Sequence, residues 1–113
     1  MKLPNGEKGL VEIAKLRDYC LSAAHPEGRH KARVFRAVLG IGPAESHMLR
    51  ERLRAAACDQ EAAAGEFDGF GHRYVIDFPL EHAGRRAIVR SAWIVLTNED
   101  FPRLTSCYIL RGL

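Results

Sequence analysis

The hydrophobic pattern of this chain changes period once, near Gly65, from helical spacing to strand alternation. From Leu10 to Leu21, the residues Leu10, Ile13, Leu16 or Arg17, and Cys20 or Leu21 form one stripe, which predicts a first amphipathic helix. His25-Pro26-Glu27-Gly28 breaks it, because proline disfavours helix at the residue before it and glycine frees the backbone. A second helix is expected from about Arg29. Along His30 to Leu39 it places Val34, Phe35, Val38 and Leu39 on one face and pushes Lys31 and Arg33 to the flank. Gly40-Ile41-Gly42-Pro43 ends that helix. Pro43 suits the first turn of a third, running to about Cys58 through Ala44, Met48, Leu49, Leu53, Ala56 and Ala57.

Beyond Gly65, Tyr74, Ile76 and Phe78 alternate with Arg73, Val75 and Asp77, which predicts a strand over His72 to Phe78. A turn at His82 to Arg85 leads to a long β-branched strand, Arg86 to Leu96, and Asn98 to Pro102 turns the chain into a last strand, Arg103 to Leu110. Short turns between successive strands require antiparallel pairing, and Glu61 to Glu66 offers a weak fourth strand. The expected class is α+β: two or three N-terminal helices, then a three- to four-stranded antiparallel sheet, in one domain over residues 1–113.

A length of 113 residues has room for one core, and 47% apolar with 27% charged residues excludes disordered and fibrous classes. The longest apolar run, Ala92 to Leu96, is strand-sized, and Met1 to Glu12 lacks the apolar stretch of a secretory leader. Cysteines at 20, 58 and 107 fit neither a disulfide framework nor a zinc spacing, so reduced thiols and a cytoplasmic setting are expected. The net charge of +3 is too mild to identify a nucleic-acid binder, but Arg29, Lys31, Arg33 and Arg36 cluster between His25 and Arg36 against Glu27 alone.

That cluster is the first candidate site. Imidazole moves protons near neutrality and cations stabilise phosphate oxyanions, so His25, His30 and Lys31 suit phosphodiester cleavage or phosphate binding; the segment reads equally as a solvated helix face. On the strands, Arg90 faces one side while Ser91 and Trp93 face the other, and Arg73 and Asp77 share a face of the neighbouring strand. An Arg there either meets an anion or pairs with Asp77. Thr105, Ser106 and Tyr108 add hydroxyls on the last strand, where such residues are also ordinary strand formers. Phosphate-loop, metal-binding and glycosidase-like patterns are absent.

Six segments, Leu3 to Glu7, Lys15 to Leu21, His25 to Phe35, Gly71 to Asp77, Val89 to Ile94 and Pro102-Arg103-Leu104-Thr105, resemble a family of small uncharacterised bacterial proteins. That family also forms the C-terminal tips of polymorphic and contact-dependent toxins, and the resemblance spans nearly the whole chain. It implies a barnase/EndoU/colicin/RelE-like ribonuclease fold and a toxin neutralised by a small cognate antitoxin or immunity protein. The implied activity is endoribonucleolytic, by attack of the ribose 2′-hydroxyl on the adjacent phosphate, without metal or other cofactor. His25, Lys31, Arg90, Ser91 and Thr105 are then the catalytic candidates, with Arg73, His30 and Trp93 binding RNA. The rival expectations are a non-catalytic antitoxin or immunity protein, and a nucleic-acid-binding module that leaves RNA intact.

Overall fold

The computed structural model describes Met1–Leu113. Helix α1, Ile13–Lys15, runs into a π turn, Leu16–Cys20, and is followed by α2, Arg29–Leu39, and α3, Ser46–Asp59. Strands β1 (Ala63–Phe67), β2 (Gly71–His82), β3 (Arg85–Leu96) and β4 (Pro102–Gly112) form one antiparallel sheet in the order β1-β2-β3-β4. The expected α+β class and the succession of helices and strands are both present.

The first helix is shorter than its periodicity predicts. Leu10 is held outside it, donating its N–H to the Pro102 carbonyl and accepting from the Leu104 N–H, both at 2.9 Å, in a short parallel bridge against β4. Glu12 is still extended (φ −73°, ψ 128°), so helical geometry begins at Ile13. The wider turn that follows is closed by Leu21 N–H donating to the Leu16 carbonyl at 2.8 Å, and it buries Leu16 and Cys20 while leaving Tyr19 at the surface of the core.

The helices supply Leu16, Phe35, Leu39, Leu49 and Leu53 to a core completed by Ile76, Val89 and Trp93 from the central strands. The outer face of the sheet carries Arg73, Asp77 and Arg90, half-exposed or exposed. The β2–β3 hairpin closes through Ala83 and Gly84, both in the left-handed region (φ 50° and 78°), as a two-residue turn matched to strand twist requires.

On β4 the pairing slips. Ser106 opposes Ala92 and Leu104 opposes Trp93, so Thr105 is an extra residue in a bulge. The bulge explains why Leu104 and Cys107, three positions apart, are both buried, which simple alternation forbids.

Ser91, expected to be catalytic, and Trp93, expected to bind RNA, belong instead to this core. Ser91 and Trp93 are 0% and 1% exposed. The Ser91 hydroxyl donates to the Ile76 carbonyl and accepts from the Trp93 indole N–H, each at 2.9 Å, so the only buried tryptophan N–H is satisfied from two residues away. Neither side chain can reach a substrate. Ser91→Ala strands that N–H in an apolar interior and is expected to lower unfolding stability by about 1–3 kcal/mol. Adding Trp93→Phe removes the orphaned donor, so the double variant loses less than the sum of the single losses; denaturant melts of the four proteins check this.

Candidate functional site

Between α1, the loop before α2 and the bulge of β4 lies an open cleft of about 640 Å³, lined by Glu12, Ala14, Lys15, Asp18, Tyr19, His25, Glu27 and Thr105. Its position follows from two local features. The bulge turns Thr105 out of the regular alternation toward the cleft. Gly28 lets the loop sit against the backbone of Tyr19, because a β-carbon at that position would collide with the Tyr19 carbonyl.

His25 is fixed by its own loop. Its Nδ1 accepts hydrogen bonds from the backbone N–H groups of Glu27 and Gly28, both at 3.0 Å, in the manner of a helix cap. With that lone pair engaged, the hydrogen bonds assign the neutral ring's proton to Nε2. The ring packs edge-on against Tyr19, centroids 4.8 Å apart and planes at 89°. His25 therefore presents an N–H donor, and not the free lone pair that a general base needs.

Lys31 reaches the same cleft through Tyr19. Its ammonium donates to the tyrosine hydroxyl at 3.1 Å and lies 5.1 Å from the ring centroid. Because the hydroxyl oxygen accepts from the Lys31 ammonium, its own proton is free to point elsewhere. Thr105 is constrained in the opposite sense: its hydroxyl donates to the Ala92 carbonyl at 3.1 Å and so offers the cleft an acceptor.

The three carboxylates of the cleft are not equivalent. Asp18 is gripped by two nitrogens of Arg17 at 2.8 and 2.9 Å, which holds its carboxyl below the usual range. Glu12 lies 3.9 Å from Arg103. Glu27 has no cation within ion-pair distance and is the free carboxylate of the cleft.

The remaining sequence candidates are elsewhere. Arg90 is on the outer face of the sheet, bound to Asp77 by two hydrogen bonds of 2.8 Å and reaching the Tyr108 hydroxyl; both partners raise its pKa. Arg73 faces Asp68 at 3.4 Å. His30 is exposed and lines a separate groove of about 280 Å³ with Lys31, Val34, Tyr108 and Ile109. The sheet thus separates Arg90 and Arg73 from His25 and Thr105, and the pairing of Arg90 with Asp77 is the structural alternative its register allowed.

Beneath Lys31, Cys20 and Cys107 meet in the core, where both are fully buried. Contact with the Cys107 thiol holds the Cys20 thiol below its ordinary range, with help from the Lys31 charge. The same contact and burial push Cys107 up. The Ser106 hydroxyl makes no regular hydrogen bond of its own. No group of three or more His, Cys, Asp or Glu side chains is placed to hold a metal ion, and no helix is long and apolar enough to cross a membrane.

Residues 2–111 match the profile of DUF6883, a domain of unknown function. The chain belongs to that family. Comparison with curated proteins and with solved structures returns no match. Sequence reasoning missed Tyr19 and Glu27 there; Tyr19 is marked only by its place beside the buried Cys20, and Glu27 by sharing a four-residue loop with His25.

Two outcomes separate structural from chemical roles. His25→Ala removes the acceptor of the Glu27 and Gly28 N–H groups in the turn leading into α2 and should cost about 1 kcal/mol, whereas His25→Asn, which keeps a short acceptor, should retain most of it in thermal melts. The Arg90 hydrogen bonds lower the pKa of Asp77, so the pair stabilises the fold above the ordinary aspartate range and is lost as pH falls through the depressed value. The stability difference between wild type and Asp77→Asn should be constant above about pH 4 and shrink below it, as read by denaturation across pH.

Proposed function

We propose that the chain is the toxin of a bacterial toxin–antitoxin or toxin–immunity pair: a metal-independent endoribonuclease that acts in the cytoplasm and is held in check by a small cognate protein. The observation that carries the reading is the pairing, in one cleft, of the unengaged carboxylate of Glu27 with a tyrosine hydroxyl held by the Lys31 ammonium. Separate base and acid groups on one substrate site are what transfer of a phosphodiester to its own 2′-hydroxyl requires.

In this reading Glu27 removes the proton from the ribose 2′-hydroxyl, whose oxygen attacks the adjacent phosphorus. The bond to the 5′-oxygen breaks, and Tyr19 gives that oxygen its proton, the resulting phenolate being neutralised by Lys31. The products are a 2′,3′-cyclic phosphate and a free 5′-hydroxyl. His25 donates its Nε2–H to a phosphorane oxygen, where a preorganised donor is most effective. Thr105, with its proton committed to Ala92, accepts a hydrogen bond from a ribose hydroxyl. The fold class supports the reading at the level of analogy.

Purified protein incubated in chelator with transfer RNA, messenger RNA and ribosomes should release cyclic-phosphate ends. Glu27→Gln and Tyr19→Phe should each slow cleavage by about 10²- to 10⁴-fold. Arg90→Met, on the far face of the sheet, should cleave like wild type. Absence of cleavage on all three substrates, or full activity in Glu27→Gln, refutes the assignment.

A further inference from the structure

Arg29, Arg33 and Arg36 recur at helical spacing and so share one face of α2, spanning about 10 Å along its axis at about 1.5 Å per residue. All three are exposed, and together with Leu21, Ala23, Ala32, Ala37 and Pro43 they line a trough of about 460 Å³. Arg17, Arg54, Arg73, Arg86, Arg90 and Arg103 each have a carboxylate within ion-pair distance. The three arginines of the trough have none; Arg50, Arg52, Arg85 and Arg111 also have none, but only Arg29, Arg33 and Arg36 are gathered in one trough. The Arg36 guanidinium lies directly on Gly42, where the absence of a side chain leaves room for it and places its charge at one end of the trough.

The trough borders the cleft. The loop from Ser22 to Gly28 stands between them: Tyr19, His25 and Glu27 face the cleft, while Leu21, Ala23 and Arg29 face the trough. A chain with one phosphate at His25 that crosses this loop meets Arg29 first, and then Arg33 and Arg36. Guanidinium forks match phosphate oxygens, and the remainder of the lining is aliphatic, with neither an aromatic ring for base stacking nor an amide or hydroxyl side chain for reading base edges.

We propose that this trough is the track for the phosphates that flank the cleavage site, binding single-stranded RNA by its backbone and without regard to sequence. The proposal rests on the ribonuclease reading of the cleft. An acidic protein segment is the competing occupant; contiguity with the cleft favours the polynucleotide.

The test is binding of a fluorescein-labelled single-stranded oligouridylate to Glu27→Gln protein by anisotropy, between about 50 and 200 mM salt. Each phosphate contact on a single strand contributes about −0.7 to the slope of log affinity against log salt. Replacing Arg29, Arg33 and Arg36 together by glutamine should flatten that slope by about 2 and weaken binding throughout. The triple lysine variant should keep the slope, and glutamine at the exposed Arg52 and Arg111 should leave it unchanged. An unaltered slope in the triple glutamine variant overturns the proposal. So does tighter binding of oligoglutamate than of RNA, lost in the same variant, which would assign the trough to an acidic protein. Because binding is read on protein disabled at Glu27, failure of cleavage refutes the ribonuclease reading without touching this measurement.

Discussion

The helix-facing side of the central strands and of β4 must be dry, and between Leu104 and Cys107 that requirement is met because β4 there contains one residue more than the stretch of β3 it pairs with. Without the bulge at Thr105, a strand with Leu104 facing inward would turn both Cys107 and Ile109 outward. The extra residue restores the buried set past residue 106 and, in doing so, leaves Thr105 unmatched. Its hydroxyl is anchored to Ala92 and its exposed side borders the cleft. The register of β4 between Leu104 and Ile109, the depth of the Cys20–Cys107 contact and the polar wall of the cleft all depend on this insertion.

The cleft itself depends on a different economy of hydrogen bonds. His25, Lys31 and Thr105 are each partly engaged within the protein, so the chemistry each offers is decided by the hydrogen bonds it already makes. His25 has used its acceptor and keeps a donor; Thr105 has used its donor and keeps an acceptor. Lys31 lends its charge to Tyr19. Residue type alone, which makes histidine equally an acid or a base and threonine equally a donor or an acceptor, cannot make these distinctions.

Much of the fold was legible in the sequence because it follows from periodicity. The long strands, the two-residue turn at Ala83-Gly84 and the break before α2 all lie where alternation, glycine and proline place them. The limits of the first helix were not legible, since the reason Leu10 stays extended is a bond to β4, more than ninety positions away in sequence. The candidate site was legible in part. His25 and Thr105 do line one cleft and Lys31 touches it through Tyr19, whereas Ser91 and Trp93 are consumed by the core and Arg90 by Asp77. Alternation assigned Ser91, Trp93 and Arg90 to their faces correctly; it could not say which face the helices would cover or which residues beyond the sheet, such as Tyr19 and Glu27, would line the cleft.

The π turn at Leu16–Cys20 has a bearing on how this region tolerates change in length. An ordinary helical turn would span the same gap with one residue fewer, and adjacent positions on a helix differ in direction by about 100°. The surplus residue thus sets the phase between two neighbours, sending Tyr19 to the wet side and Cys20 to the dry one. Shortening the segment by a single residue would leave composition and hydropathy almost untouched and yet exchange a phenol for a thiol at the edge of the cleft.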